Sequence, residues 1–239
     1  MKRSFLLLLL AASFLIGCSD KETPVIENPE IEEVAPDGTH LSDGFIQVYL
    51  LPSAMNVRLE GEAVREKEYL LEISFDGERI SNREVRTKAR HEAIAARYGD
   101  REFNDRIAPF STVALGSDCL SIEVTCDSPI DEAHPAGAPL GDLLTLYGVS
   151  FDEYIACGYD NSKMPSYPES FDGLLLYNGL GGTPLIKPLD EVTAADLLLV
   201  EPTLYLRLPF PLPVGSHTFT VTARFADTTF EASAKLTIG

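Results

Sequence analysis

Alternation of apolar and polar residues is strongest at the C-terminal end of the chain. Phe219, Val221, Ala223 and Phe225 alternate with Thr218, Thr220, Thr222 and Arg224; past Ala226-Asp227-Thr228-Thr229 the pattern resumes, with Phe230, Ala232, Ala234, Leu236 and Ile238 set against Glu231, Ser233, Lys235 and Thr237. A period of two on both arms predicts a β-hairpin with one buried face. Upstream, Leu204, Leu206 and Leu208 alternate with Tyr205 and Arg207 and predict a half-buried strand over 203–208. Pro209, Pro211 and Pro213 then forbid a central strand and mark an edge or a crossover. Tyr69 to Phe75, the Asp76-Gly77 pair and a return through Glu78 and Ile80 predict a second hairpin, and Ile46, Val48 and Leu50 one more short strand.

Two helical segments interrupt this pattern. Residues 84–98 are rich in Arg, Ala and Glu and are followed by Gly99, which can adopt the left-handed conformation that ends a helix. Ser150-Phe151-Asp152-Glu153 has capping-box spacing, with Gly158 placed to close a short helix. Both are expected to connect strands. From Gly158 to Pro188 the density of Pro and Gly, centred on Gly179-Leu180-Gly181-Gly182, predicts a long loop with one buried turn at Leu174 to Tyr177. Long ordered loops on a β scaffold are where binding sites often lie.

The run Pro-Val-Gly-Ser-His-Thr-Phe-Thr-Val-Thr at 213–222 resembles the penultimate strand of immunoglobulin-like modules in bacterial surface proteins. With the strand pattern, that resemblance implies a mainly β fold: an immunoglobulin-like β-sandwich with one or two short helical connections. It covers about 40 residues and carries a fold class without a family activity.

The N-terminal end has a different character. Lys2 and Arg3 precede an apolar run from Phe5 to Ile16, shorter than the roughly 20 residues a bilayer span requires. Leu15-Ile16-Gly17-Cys18 resembles the bacterial lipobox, in which the leader is cut and the cysteine becomes a multiply acylated first residue. Several acyl chains anchor stably where one is marginal. Residues 1–17 are therefore expected to be a signal peptide and Cys18 the site of lipidation. Residues 18–43 follow as an acidic tether broken by Pro24, Pro29 and Pro36, with Lys21 its one cation. As a flexible coil of about 25 residues it would reach on the order of 25 to 30 Å; the alternative is that Val25, Ile26 and Ile31 add an edge strand. Ser19-Asp20-Lys21-Glu22-Thr23-Pro24 is similar to the short acidic stretches behind the lipidated cysteine in surface lipoproteins of Bacteroidota, which implies an outer-membrane lipoprotein exposed at the cell surface or facing the periplasm. Residues 44–239 remain for a β-rich domain, or for two small sandwiches of which the second includes 200–239.

Charge narrows the partners. The chain carries 19 Lys and Arg against 37 Asp and Glu, and loss of Lys2 and Arg3 with the leader takes the net charge from −18 to −20. Nucleic acid is excluded by that field, as no basic stripe overrides it. No calcium loop of the Asp-x-Asp-x-Asp-Gly type is present, so no metal or other cofactor is expected. The acidity reads as colloidal repulsion at a crowded surface.

Residues with chemical potential are scattered. Cys119 and Cys126 bracket Leu120, Ile122 and Val124; on a regular strand Cys126 shares the apolar face and Cys119 points away, about 23 Å distant, so neither reaches the other, while either could pair with Cys157. A buried free thiol is the expected state of Cys126. His40, His91, His134 and His217 fall in four different elements and read as surface or turn residues. Asp131-Glu132-Ala133-His134 spells a helicase box without the phosphate loop such enzymes need, and His91-Glu92 opens a zinc-protease motif whose second histidine is replaced by Ala95. Asp152, Glu153 and Asp160 are a conceivable glycosidase cluster, but no spacing rule selects them. Tyr147, Tyr154, Tyr159, Tyr167 and Tyr177 crowd into about thirty residues and form a possible ligand-facing platform in a chain without Trp.

No catalytic residue is assigned. The chain is similar overall to small lipoproteins of Bacteroidota with a lipidated cysteine, an acidic tether and a β body, a group that shares a location and no common reaction. The leading expectation is a non-enzymatic surface or outer-membrane module, held to the membrane through Cys18, that binds a glycan or a protein partner. The alternatives are a fimbrial or adhesin-type subunit that assembles by strand addition and, behind it, a hydrolase.

Overall fold

A computed structural model describes residues 44–60, 69–101, 103, 112–164, 182–208 and 212–239. The fold is mainly β and consists of two sheets packed face to face. Strands β1 (Val48–Glu60), β2 (Leu70–Ser81), β3 (Val113–Leu115), β5 (Thr145–Ser150), β6 (Thr183–Pro188) and β7 (Thr203–Arg207) form a six-stranded sheet in the order β3-β1-β2-β7-β5-β6. Strands β4 (Cys119–Cys126), β8 (Gly215–Phe225) and β9 (Thr229–Ile238) form a three-stranded sheet in the order β4-β8-β9. The helices are α1 (Val85–Tyr98), between β2 and β3, and α2 (Asp152–Ala156), after β5.

Between the sheets lies one core. Leu71, Ile73 and Phe75 of β2 and Leu204 and Leu206 of β7 meet Ile122 and Val124 of β4 and Phe219, Val221, Ala223 and Phe225 of β8. Strands β4, β7 and β8 alternate buried and more exposed positions, as strands with one apolar face must, whereas β2 is covered on both faces over Leu70 to Ile73. The expected terminal hairpin is β8–β9, paired from Gly215↔Ile238 to Arg224↔Thr229.

A second core covers the opposite face of the larger sheet. Tyr49, Ile80, Ala114 and Val149 belong to it, and Ala95 of α1 and Tyr154 and Ile155 of α2 pack with them, together with Phe45, Phe103 and Phe151. The helices thus do more than connect strands. Helix α1 ends at Gly99, whose φ of 72° is the left-handed conformation its sequence anticipates, and whose N–H reaches back to the carbonyls of Ala95 and Ala96.

Several expectations are corrected. Asp76-Gly77 is no turn: β2 runs straight through it and pairs with β1 along its whole length, with a register shift between Pro52 and Ala54. Gly77 is there because the two backbones touch; a Cβ at this position would lie 2.0 Å from the Leu51 carbonyl oxygen. The short strand expected at 46–50 is accordingly the first part of a 13-residue strand. The loop expected over 158–188 gives way at its end to β6, which pairs antiparallel with β5; Leu174 to Tyr177 lie outside the described residues. On β4, a bulge between Cys119 and Ser121 reverses the facing of the first two residues, so that Cys119 is buried and Leu120 is 46% exposed. Cys119, Cys126 and Cys157 are all free thiols. Finally, His91, His134 and His217 are buried rather than superficial; His40, Val25, Ile26, Ile31, Pro209 and Pro211 lie outside the described residues.

Candidate functional site

Three clusters of polar groups stand out, each centred on a buried side chain and each built by a different junction of the fold. The first gathers around Asp100, immediately after the glycine that ends α1. Its carboxylate accepts hydrogen bonds from the main-chain N–H of Phe45 at 2.6 Å and of Ile46 at 2.9 Å, from the Tyr49 hydroxyl at 2.8 Å and from the Tyr159 hydroxyl at 3.0 Å. The carboxylate is 1% exposed, so four donors replace the water it has lost. Burial and the neighbouring Asp100 charge push the Tyr49 hydroxyl well above the usual phenol range, which keeps it a donor. Beside it, His91 Nε2 lies 2.8 Å from the Ile46 carbonyl and therefore carries the proton at that nitrogen. Burial, the largest influence, lowers the His91 pKa and keeps the ring neutral. The cluster fixes the segment that enters β1, with Phe45 seated edge-on against Phe103 and Tyr154 at ring-centre distances of 5.2 and 4.9 Å.

The second cluster lies on the connection after β4. His134 Nδ1 is 2.7 Å from Asp131 Oδ1, and Nε2 is 3.0 Å from Asp142 Oδ1. Carboxylates only accept, so both ring nitrogens donate when both bonds are made, and the imidazolium is the form that satisfies the site. The Asp131 hydrogen bond is the main cause of the raised His134 pKa, and His134 in turn lowers that of Asp131. What looked like part of a helicase box is a charged clamp on a loop.

The third cluster joins the end of β4 to the start of β8. Ser128 Oγ is 2.7 Å from His217 Nδ1, His217 Nε2 is 2.8 Å from the Pro213 carbonyl, and Cys126 Sγ is 3.4 Å from Ser128 Oγ. The carbonyl can only accept, so Nε2 donates to it, and Nδ1 faces the Ser128 hydroxyl. Asp127 accepts from the Thr218 N–H at 2.8 Å, the main cause of its lowered pKa. A serine hydroxyl 2.7 Å from a histidine nitrogen is the start of a nucleophile pair, but His217 is 2% exposed and its other nitrogen is committed to the backbone.

The residues singled out by sequence do not converge. Tyr147 is buried on β5 beneath the Arg207 guanidinium, 5.4 Å from its ring centre, and Tyr154 is buried in the helix-covered core. Tyr159, partly buried, takes up a left-handed φ of 62° and donates to Asp100 and to the Arg101 carbonyl. Tyr147 and Tyr154 therefore cannot present ring faces to a ligand, which removes them from the expected platform; Tyr167 and Tyr177 lie outside the described residues. Asp152, Glu153 and Asp160 serve separate local purposes. Burial, then the neighbouring Glu153, raises the Asp152 pKa; Glu153 accepts from the Thr183 hydroxyl at 3.1 Å; Asp160 caps the turn at Ser162 and pairs with Lys163 at 3.3 Å. Ser150 does accept from the Asp152 N–H, at 3.2 Å, but Glu153 turns to Thr183, so the capping box is half formed. Among the described residues no three His, Cys, Asp or Glu side chains are grouped to hold a metal ion.

Sequence reasoning missed Asp100, Ser128 and the burial of three histidines. Asp100 had one legible sign, its place directly after a helix-ending glycine; Ser128 and His217 are 89 residues apart, and only the pairing of β4 with β8 brings them together. No protein-family model matches the chain, and no curated protein is similar enough to it to register as a match.

Proposed function

We propose that the protein is a lipid-anchored outer-membrane lipoprotein whose β body acts as a non-enzymatic binding module for a glycan or a protein partner. The observation that carries the location is Leu15-Ile16-Gly17-Cys18 behind a short apolar run, followed at once by an acidic, proline-broken stretch. The geometry of the body is consistent with binding rather than turnover: His134 and His217 have both ring nitrogens engaged by protein groups, and Asp100 is saturated by four donors. The immunoglobulin-like character of the terminal hairpin belongs to this proposal.

The test is direct. Cells fed an alkynyl fatty acid should label the wild-type chain and retain it in the membrane fraction, whereas Cys18→Ala should lose the label and accumulate as precursor. Recovery of an unmodified Met1 peptide from soluble wild-type material would overturn the anchored reading. For binding, crosslinking pull-down from intact cells together with a glycan array should return a reproducible ligand. A second reading, hydrolysis, is favoured by one observation, the 2.7 Å approach of the Ser128 hydroxyl to His217 Nδ1. Covalent labelling of Ser128 by a serine-directed phosphonate, abolished by His217→Gln, would replace the binding proposal with it.

A further inference from the structure

The total charge conceals a local exception. Of the 17 cations that remain once the leader is lost, seven fall between Arg79 and Arg101, a stretch that holds three of the 37 acids. All seven are exposed, while Asp100, one of the three acids, is buried. Helix α1 carries four of them on its outer face. Thr87, His91 and Ala95 point into the fold. On the opposite side Val85, Ala89 and Ala93 recur every four residues as a small apolar ridge, with Arg86, Arg90 and Arg97 along one flank and Lys88 on the other. Val85 is 76% exposed and the Arg86 side chain 86%, so this face is open. Arg90 is paired with Glu78, and Arg97 lies 3.6 Å from Asp118. Arg86 meets Glu84 at 3.1 Å in open solvent, where such a pair holds weakly. The same helix marks where the chain from Cys18 enters the body. The N–H groups of Phe45 and Ile46 donate to Asp100, directly after the glycine that ends α1, and the Ile46 carbonyl accepts from His91 within the helix.

We infer that the outer face of α1 docks on an anionic lipid leaflet, the surface to which the chain is tethered; the inference rests on the lipid-anchored reading. Three observations select this partner. Positive charge is concentrated on this face and negative charge over the rest of the chain, so an anionic surface attracts the one and repels the other. Beyond about 8 Å, charges are screened at physiological salt, so the face that approaches, and not the sum over the molecule, sets the interaction. A small apolar ridge between basic flanks is the pattern of a helix that lies in the plane of a membrane interface. The entry of the tether beside α1 keeps the face within reach: a coil of about 25 residues spans on the order of 25 to 30 Å. Docking is then an intramolecular event at millimolar effective concentration, for which weak attraction suffices. Each basic residue held near an anionic leaflet favours contact about fivefold.

Reconstitution of the whole lipidated protein into vesicles tests this. Cys157→Ser supplies the background, since Cys119 and Cys126 are buried. In that background a fluorophore is placed at Ala89→Cys on the ridge, or at Ser233→Cys on the exposed side of β9 in the other sheet, and quenching by headgroup-nitroxide lipid is read. Adding phosphatidylglycerol to phosphatidylcholine vesicles should raise quenching at Ala89→Cys at least twofold and leave Ser233→Cys unchanged. Salt at roughly 1 M, where the screening length is about 3 Å, should remove the rise. Arg86→Glu combined with Lys88→Glu should also remove it; acids near a helix N-terminus favour the helix, so unfolding would not account for that loss. Flotation is measured on the same samples. A wild-type chain that floats with neither vesicle overturns the lipid-anchored reading, and docking falls with it. A chain that floats but shows no phosphatidylglycerol-dependent rise, an equal rise at both sites, or a rise indifferent to the double substitution overturns docking alone. A change at Ala89→Cys produced by soluble polygalacturonate and not by the vesicles would replace the leaflet with an acidic glycan.

Discussion

Glu201 shows what burial does to a single group. Its main-chain N–H donates to the Val149 carbonyl at 2.9 Å, between Val200 in the sandwich core and Pro202, and burial alone pushes its carboxyl from an ordinary 4.5 up to about 7. A carboxyl raised in the folded state favours folding while it is protonated. That contribution is complete below about pH 4.5, is lost as pH rises through about 7, and above that the buried charge opposes folding. Glu201→Gln should therefore be more stable than wild type at pH 8, by about 1 to 2 kcal/mol once partial exposure is allowed for, and no more stable near pH 4. Urea unfolding at the two pH values measures this; equal midpoints at pH 8 would show that the carboxylate finds solvent. Nothing in the sequence around Glu201 distinguishes it from the other acids, because desolvation depends on what other segments lay over it. The role of Asp100 is hidden for the same reason: its donors come from residues up to 59 positions away.

At the scale of elements, local pattern was reliable where one face is buried and misleading where backbones meet. The alternation over 203–208 and 218–238 gave β7, β8 and β9 almost to the residue, and the Arg- and Ala-rich segment with its terminal glycine gave α1. Asp76-Gly77 has the composition of a turn, yet it lies inside β2 because a neighbouring strand presses its carbonyl against Gly77. Gly77→Ala should consequently cost about 3 kcal/mol or more, since the obstructing atom is main chain and the β1–β2 pairing must open to admit a methyl group. Gly137→Ala, at a left-handed φ of 80° but with open space around it, should cost only about 1 kcal/mol. Denaturant midpoints of the two variants compare close approach with conformational strain, and a Gly77→Ala loss no greater than that of Gly137→Ala would mean that β1 yields. The bulge in β4 is the same kind of case: one extra residue brings Cys119 into the core, where burial pushes its thiol up to about 12 and leaves it unreactive.

For the whole molecule, the two sheets stand or fall together because they share a core. Phe75 of the larger sheet meets Phe225 of the smaller edge-on, with ring centres 5.4 Å apart, and Phe230 packs against both. Phe225→Ala and Phe75→Ala should each cost about 3 to 5 kcal/mol, and a double-mutant cycle should return a coupling of about 1 kcal/mol between sheets. Additive losses would mean that the rings contribute independently. The sequence by itself determined which segments have an apolar face, where α1 stops, the strongly negative net charge, and the lipobox-like pattern at Cys18, since periodicity, glycine geometry, net charge and short linear motifs are all written in consecutive residues. Tertiary structure alone decided that the helices cover a second core, that Tyr147 and Tyr154 are inside, that Asp100 gathers four donors, and that Ser128 meets His217. Burial and hydrogen bonding between distant segments are properties of how the strands are ordered in the sheets, and strand order is settled by the summed packing of the folded chain.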